Sequence, residues 1–373
     1  MKISSNFDSG NCKVISADSH DNIQLEIRTD TNSDKFQWFH FRLTGAEGYP
    51  CRIKILNAGM AAYPSWDDYR AVASYDRISW FRVPTSYKDG VLIINHTPEY
   101  NSIFYAYFAP YTYEQHLKLI STAQHSDLCV LEIIGETIQG RDIDMITVGS
   151  PDDYKKKVWI IARQHPGETM AEWFMQGLMA RLFDEDDAVT RLLLEKAVFY
   201  LVPNMNIDGG IAGNIRFNAA GVDLNRAWAE PSLKSSPEVY YVKKYMENTG
   251  VDLFLDIHGD ETLPYNFVSG IEGVPAYNSR LEDLCKTFVN DWLLINPDFQ
   301  DTIKYPINEP GKANLTIASK NVAQTFNCPA FTIEMPFKDN KDMPDMIFGW
   351  SPERAIKFGE SVLHPIMQVV NKL

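Results

Sequence analysis

The sequence predicts a two-domain α/β protein, in which an N-terminal antiparallel β-sandwich precedes an α/β/α domain with a mixed, mostly parallel sheet. The length of 373 residues exceeds the usual size of a single domain. Residues 1–115 contain short strand-like segments separated by turns, whereas strands alternate with helices after them. We therefore expect a β-sandwich domain over residues 1–115 and a second domain over residues 116–373.

The N-terminal segment has the pattern of strands and shows little helical periodicity. In Cys51–Leu56, for example, Cys51, Ile53 and Ile55 alternate with residues that point the other way. Turn residues separate the segments at Gly45–Gly48 and Lys88–Gly90. The predicted strands are Asn22–Arg28, Phe36–Leu43, Cys51–Leu56, Val91–Ile94 and Ile103–Phe108.

The C-terminal segment alternates strands with helices, which is typical of a buried and partly parallel sheet. It begins with a predicted hairpin, Val130–Ile134 and Ile143–Val148, whose turn contains Gln139 and Gly140. The helix Thr169–Phe183 carries its apolar residues on one face. The other predicted elements are the strands Lys157–Ala162, Ala197–Val202, Asp252–Ile257 and Ala330–Met335, and the helices Pro237–Asn248 and Pro352–Val370.

Composition argues against several classes of protein. The net charge of −14 disfavours a nucleic-acid partner, because phosphate binding needs a cationic surface. The sequence contains neither an apolar run long enough for a membrane helix nor the N-terminal pattern of a signal peptide. Its five cysteines are scattered and form no CxxC pair, as expected of reduced thiols. We therefore expect a cytoplasmic protein without membrane or nucleic-acid partners.

Three common enzyme motifs do not occur. The sequence has no GxSxG nucleophile motif and no HExxH zinc motif. The segment from Gly135 to Asp142 resembles a phosphate-binding loop only in its glycine spacing, because it lacks the Lys-Ser/Thr ending and lies between two strands.

A possible metal site lies in the segment ARQHPGET, residues 162–169. His165 and Glu168 follow a strand directly and precede a helix, and both side-chain types bind zinc. His258 follows another predicted strand, and the carboxyl ends of parallel strands share one edge of a sheet, so the three residues can converge. Both parts of this set also have a structural alternative: a surface or capping role for His165 and Glu168, with Glu168 as a first-turn acid, and a hydrogen-bonded core position for His258.

Two further segments carry residues suited to hydrolysis at a chain end. The glycine-rich segment 203–228 contains Arg216, Asn225 and Arg226, which could recognise a carboxylate or stabilise an oxyanion, or could belong to a solvated loop. Glu334 lies at the end of an apolar strand, where a glutamate is uncommon without a partner or a function. Beside a metal it could act as a general base.

With these segments the chain resembles the zinc metallocarboxypeptidases of the carboxypeptidase A type, and more closely their cytosolic carboxypeptidase subfamily. The shared motifs are HPGE(T), N-x-D-G…G-N-x-R…G-x-D-L-N-R-x-W, D-x-H-G-D and F-T-x-E. The segments FQWFHFRL, YDRISWFRVPT and FAPYTYEQHL are similar to the β-sandwich that precedes the peptidase domain in that subfamily. The resemblance covers essentially the whole chain.

This resemblance implies a zinc carboxypeptidase domain over residues 116–373, with one zinc ion per chain bound by His165, Glu168 and His258. It implies that Glu334 is the general base for a metal-activated water that cleaves the last peptide bond of a peptide or protein. It also implies that Arg216 polarises the scissile carbonyl. These three metal ligands and two catalytic residues form the expected reaction centre.

By the same resemblance, Asn225 and Arg226 would bind the C-terminal carboxylate of the substrate. Asp223 is similar to the carboxylate that orients a zinc-binding histidine in the family. Asp256 is expected in the packing of its strand rather than among the metal ligands. Tyr305 is the candidate for the substrate-capping tyrosine of the digestive relatives.

The resemblance leaves the preferred substrate open. Some members of the subfamily remove glutamate from protein tails, whereas Phe331 stands where the eukaryotic relatives commonly have tyrosine. Arg163, Lys312 and Lys320 are candidate positive charges near the site, although a solvated surface position is favoured for each. The alternatives to a carboxypeptidase are a small-molecule amidohydrolase of the aspartoacylase or desuccinylase type and a non-catalytic binding module.

Overall fold

The computed structural model describes residues 1–373 and contains ten strands in its N-terminal part. They form two five-stranded sheets, with the orders β1-β4-β10-β6-β7 and β2-β3-β5-β9-β8. All pairs in these sheets are antiparallel except β3 with β5. The strands are β1 (Lys2–Ser4), β2 (Lys13–Ser16), β3 (Ile23–Glu26), β4 (His40–Thr44), β5 (Cys51–Ile55), β6 (Val72–Ser74), β7 (Phe81–Arg82), β8 (Thr85–Lys88), β9 (Val91–His96) and β10 (Ser102–Ala106).

The predicted strand Phe36–Leu43 is only partly a strand, because the ladder begins at His40. Residues 36–39 are buried, but their polar groups bond outside the sheet. The Trp38 indole donates to the carbonyl of Ser9 at 2.8 Å, and the Gln37 amide donates to the carbonyl of Tyr63 at 2.9 Å. The short strands β1, β2, β6, β7 and β8 were not predicted, since two to four residues carry too little alternation to recognise.

The C-terminal part is built on one seven-stranded sheet in the order β11-β12-β14-β13-β15-β17-β16. The four central strands β14, β13, β15 and β17 are parallel, whereas β11, β12 and β16 pair antiparallel. The mixed, mostly parallel sheet and the predicted hairpin are therefore confirmed. The strands are β11 (Cys129–Glu136), β12 (Asp142–Val148), β13 (Lys156–Ala162), β14 (Ala197–Val202), β15 (Leu253–Asp260), β16 (Phe267–Ser269) and β17 (Ala330–Pro336).

Nine α-helices accompany this sheet, and none is long and apolar enough to cross a membrane. The predicted helix Pro352–Val370 is two helices that meet at Val362, because Pro365 has no N–H to continue the hydrogen-bond ladder. The helices are α1 (Tyr113–Ala123), α2 (Met170–Leu182), α3 (Ala188–Lys196), α4 (Ile207–Ala212), α5 (Pro237–Thr249), α6 (Ser279–Ile295), α7 (Ala318–Phe326), α8 (Pro352–Ser361) and α9 (Leu363–Val370).

The sheet order determines where functional side chains can meet. Strands β13, β15 and β17 are neighbours and parallel, so their carboxyl ends lie side by side at one edge of the sheet. The sandwich adjoins this part of the chain: β10 ends at Ala106 and α1 begins at Tyr113. The division of the chain after residue 115 stays a prediction.

Candidate metal centre and substrate cavity

Three residues of the predicted metal site converge at the carboxyl ends of neighbouring strands. His165 and Glu168 lie in the turn between β13 and α2, and His258 lies near the end of β15. Nδ1 of His165 is 2.6 Å from one carboxylate oxygen of Glu168, and Nδ1 of His258 is 2.7 Å from the other. The potential ligand atoms of these buried residues all lie within 4.8 Å of one another.

Each histidine of this set is held from behind by a carboxylate. Nε2 of His165 lies 3.0 Å from Oδ1 of Asp223, and Nε2 of His258 lies 3.0 Å from Oδ2 of Asp256. Such contacts leave Nδ1 of each ring directed at the common centre. Asp256 was expected in the packing of its strand rather than among the metal ligands; it is not one of the ligand candidates, but its carboxylate contacts His258. Its position two residues before His258 puts both side chains on one face of β15, a signal that the sequence contains.

The arrangement of these residues fits a zinc ion. Two imidazole nitrogens and a carboxylate form a three-ligand set typical of catalytic zinc, and carboxylates behind the histidines are the usual outer partners. The backbone also adapts to the site at Gly259, whose N–H donates to Glu168 at 3.0 Å. A Cβ on Gly259 would lie 2.4 Å from Sδ of Met170, so a larger residue here would require the buried Met170 side chain to move.

Glu334 lies beside the metal residues, opposite His258 in the register of β15 and β17. Its Oε2 atom is buried without any hydrogen-bond partner, and burial raises the pKa of this carboxyl well above its usual range. The hydroxyl of Tyr305 lies 3.4 Å from Oε1 of Glu334 and also donates to Asp260. Tyr305, the candidate capping residue, therefore lies next to the proposed base.

Arg216 approaches the metal residues from a loop after α4. Its Nε donates to Oδ2 of Asp223 at 2.9 Å, so one carboxylate links this arginine to His165. On another side the guanidinium carbon lies 5.8 Å from the ring centre of Tyr63, which lies in the connection between β5 and β6 of the N-terminal part. The arginine is thus held by residues from both parts of the chain.

Asn225 and Arg226 lie together on a short turn that faces the same space. The Asn225 side-chain oxygen accepts from the N–H of Ala318 at 2.9 Å, which orients the amide group, and its nitrogen lies 3.4 Å from Nε2 of His258. The guanidinium of Arg226 donates to the carbonyl of Asn225 at 2.9 Å and forms no ion pair. It remains exposed and able to bind an anion.

A cavity of about 540 Å³ brings all seven predicted site residues together. Lys320 also lines this cavity; it is only 5% exposed, has no hydrogen-bond or ion-pair partner, and burial lowers its pKa to about 8. Glu261, which the sequence analysis did not single out, lies there as well, and burial raises the pKa of its carboxyl well above the usual range.

The expectation of solvated surface positions was wrong for two of the three candidate cations. Lys320 is buried in the cavity, and Arg163 is buried against Glu172, with its Nη1 donating to that carboxylate at 2.7 Å. Lys312 is exposed and lies outside the cavity, as expected. Burial depends on contacts between distant segments, which single charged residues in a sequence do not reveal.

Two family models match most of the chain. A family model described as zinc carboxypeptidase matches residues 113–357, and one described as the cytosolic carboxypeptidase N-terminal domain matches residues 3–108. The structure is similar to a metallo-carboxypeptidase from Burkholderia cenocepacia, with 45% identity, a TM-score of 0.98 and coverage of 100% of both chains. It is also similar to a metallo-carboxypeptidase from Pseudomonas aeruginosa, with 47% identity, a TM-score of 0.97 and coverage of 100% of both chains.

A more distant relative comes from a eukaryote. Cytosolic carboxypeptidase 6 of Mus musculus is 29% identical over 292 residues, which cover 71% of this chain and 54% of the mouse protein. The chain therefore spans about half the length of this relative.

Proposed function

This chain belongs to the zinc carboxypeptidase family, and we propose that it removes acidic residues from the C-termini of peptides or proteins. It is a metallocarboxypeptidase, a hydrolase of peptide bonds with zinc as its cofactor. The observation that carries the acidic preference is Lys320, a buried and unpartnered cation in the wall of the cavity that also holds the metal residues.

We propose that His165, Glu168 and His258 hold the zinc ion. The ion would supply the Lewis-acid chemistry of peptide hydrolysis. Asp223 and Asp256 keep the two histidine rings oriented through their Nε2 atoms, at 3.0 Å each. This support is needed because a ring free to rotate would present its nitrogen to the metal for only part of the time.

Glu334 is the proposed general base. Glu334 lines the cavity beside His258, and one of its carboxylate oxygens has no hydrogen-bond partner, so the side chain can accept a proton from the attacking water and return it to the leaving amine. Arg216 is the proposed donor to the scissile carbonyl oxygen, on which negative charge develops during attack. The contacts of Arg216 with Asp223 and Tyr63 restrict its side chain before substrate binds.

Asn225 and Arg226 are proposed to bind the C-terminal carboxylate. An exposed guanidinium without an ion pair offers the planar pair of donors that suits a carboxylate. The amide of Asn225 is already oriented by its bond from Ala318, so little rotamer freedom is lost when substrate binds. Together these residues would restrict cleavage to the last peptide bond.

Lys320 is proposed to bind the side chain of the residue that is removed. Lys320 is buried and forms no direct ion pair. The more distant Glu272 raises its pKa less than burial lowers it, so the charge stays incompletely compensated until an acidic side chain enters the cavity. A glutamate side chain would supply that partner, whereas a lysine side chain would add a second positive charge. No contact in the structure favours the amidohydrolase or the binding module over this function.

A cytoplasmic location is proposed from the state of the cysteines. All five cysteines are unpaired, and four of them are buried, as suits a reducing compartment. The negative net charge supports the absence of a nucleic-acid partner.

A peptide series tests the proposed function. Peptides that differ only in the last residue (Glu, Gln, Lys or Leu) should be cleaved with zinc present and left intact after chelation. We expect kcat/KM for the glutamate peptide to exceed that for the isosteric glutamine peptide by roughly tenfold or more, since a hydrogen bond to a charged group contributes about 1.5–3 kcal/mol. Equal values for the two peptides would refute the acidic preference.

A further inference from the structure

The loop that carries Arg216 is held in place by the N-terminal β-sandwich. We define the arginine loop as residues 213–219. The Asn11 amide donates to the carbonyl of Gly213 at 2.8 Å, and the Asn32 amide donates to the carbonyl of Ala219 at 2.9 Å. Both ends of the arginine loop are therefore bonded to the other domain, although neither bond involves Arg216 itself.

The centre of the arginine loop is bonded to one carboxylate, that of Asp30. The N–H of Ile215 donates to Oδ1 at 2.8 Å, and the N–H groups of Arg216 and Phe217 donate to Oδ2 at 2.8 and 3.0 Å. Asp30 lies in the turn after β3 and is only 2% exposed. Three successive backbone donors on one buried carboxylate leave the peptide groups of residues 215–217 little freedom to rotate.

The same loop also touches the turn that carries two metal residues. The N–H of Gly167 donates to the carbonyl of Ile215 at 3.0 Å. A Cβ at Gly167 would lie 2.9 Å from Cα of Ile215, so the two backbones are in direct contact. The position of the arginine loop is thereby defined relative to His165 and Glu168.

We propose that Asp30 is a positioning residue for peptide hydrolysis: by holding the backbone of residues 215–217, it aims the Arg216 guanidinium at the scissile carbonyl. The inference rests on the role proposed above for Arg216. It assigns to the β-sandwich a direct part in the reaction, since the side chain that does the positioning comes from one domain and the side chain that is positioned comes from the other.

The variant Asp30→Asn tests the proposal. The asparagine amide matches the aspartate carboxylate in size. Its NH2 group, however, would face a backbone N–H of residues 215–217 at a place where a carboxylate oxygen now accepts. The arginine loop would have to shift to avoid this contact between two donors. We expect kcat to fall by about tenfold or more, because a displacement near 1 Å can cost ~100-fold in rate. KM should change less than twofold, since Asn225 and Arg226 lie outside the arginine loop. Zinc content, measured by elemental analysis, should be unchanged.

Asn32→Asp is the matched control. It is also an isosteric exchange of amide and acid on the same turn, and it removes the bond to Ala219 at the same interface. The lost bond lies three residues from Arg216 and the three N–H bonds to Asp30 stay in place, so we expect a lower melting temperature while kcat stays within twofold. If Asn32→Asp lowers kcat as much as Asp30→Asn does, any disturbance of the contact between the β-sandwich and the arginine loop lowers kcat, and the proposal for Asp30 is wrong.

A double-mutant cycle separates this inference from the proposed function. If Asp30 acts through Arg216, Asp30→Asn should lower kcat strongly in the native chain but less than twofold in the Arg216→Ala background. An equal loss in both backgrounds, or native kcat in Asp30→Asn, would overturn the role of Asp30. Native kcat in Arg216→Ala would instead refute the role of Arg216. If Asp30→Asn does not fold, Asp30→Ser, which keeps a smaller acceptor, enters the same cycle.

Discussion

Glu334 lies directly opposite His258, because β15 and β17 are adjacent parallel strands that pair in register at these two residues. The backbone ladder of two buried strands therefore sets the separation of the proposed base and a proposed metal ligand. A register slip of one residue would turn Glu334 to the other face of the sheet. The central sheet thus determines the geometry of the reaction centre.

Removal of one proposed ligand should abolish metal binding. We expect His258→Ala to contain far less than one zinc ion per chain, because only two protein ligands remain. Asp256→Asn should still bind zinc but about 10–100-fold more weakly, since it alters only the carboxylate behind the ring. Elemental analysis after dialysis measures the zinc content of both variants. Full zinc occupancy in His258→Ala would disprove the ligand assignment.

Replacement of the proposed base should lower kcat without changing the fold or the zinc content. Glu334→Gln is nearly isosteric, and Glu334 is not a proposed ligand, so zinc content and melting temperature should stay close to those of the native chain. We expect kcat to fall roughly 100-fold or more, the usual share of general-base catalysis. Steady-state kinetics of the zinc-loaded variant measures kcat. A near-native value would show that Glu334 is not the general base.

The two arginines in the cavity should affect different kinetic constants. Arg226→Ala should mainly raise KM, because the carboxylate contact exists in both the ground state and the transition state. Arg216→Ala should mainly lower kcat, because its guanidinium donates toward the oxygen on which negative charge develops during attack.

Amidation of the substrate C-terminus should abolish cleavage. A neutral amide cannot replace the carboxylate that Asn225 and Arg226 are proposed to bind, which costs about 2–5 kcal/mol of binding free energy. Cleavage of amidated and free peptides at equal rates would contradict an exopeptidase.

The preference for acidic residues should depend on Lys320. Lys320→Gln should lower kcat/KM for a peptide ending in glutamate by roughly tenfold, with little effect on one ending in glutamine. Lys312→Gln is the control, because Lys312 is exposed outside the cavity. Burial lowers the pKa of Lys320 to about 8, so the Glu/Gln ratio should decline as pH rises through 8 and the lysine loses its charge. A ratio that Lys320→Gln leaves unaltered would contradict this assignment.

A buried ion cluster around His116 should make the stability of the fold depend on pH. His116 lies 2.7 Å from Glu172 and 3.1 Å from Asp144. Burial lowers its pKa, but the two carboxylates outweigh that effect and raise it to about 9. The folded pKa exceeds the unfolded value of about 6.5, so this stabilisation is complete below about pH 6.5 and is lost as pH rises through 9.

The free energy of unfolding in urea measures this effect. We expect the native chain to lose stability between pH 6.5 and about 9.5, and His116→Gln to lose less over the same interval. At pH 6 the variant should be less stable by about 3–5 kcal/mol, because the buried Asp144 loses its ion-pair partner, whereas Glu172 keeps Arg163. Parallel pH profiles for the two proteins would show that His116 does not titrate as described.

The sequence alone was sufficient to predict the two-part architecture and the convergence of the proposed metal ligands and base. His165, Glu168, His258 and Glu334 were recognisable because each follows or ends an apolar strand, and parallel strands bring such positions to one edge of a sheet. The break between α8 and α9 was also readable, since Pro365 interrupts the helical ladder, but the prediction overlooked it.

Only the tertiary structure decided the surroundings of that centre. The burial of Lys320 and the bonds from Asp30 to the arginine loop join segments far apart in sequence. A lysine or an aspartate has the same local pattern whether it faces solvent or a cavity. Strand ends and ligand motifs are local in the chain, whereas the surroundings of a buried charge depend on how distant segments pack.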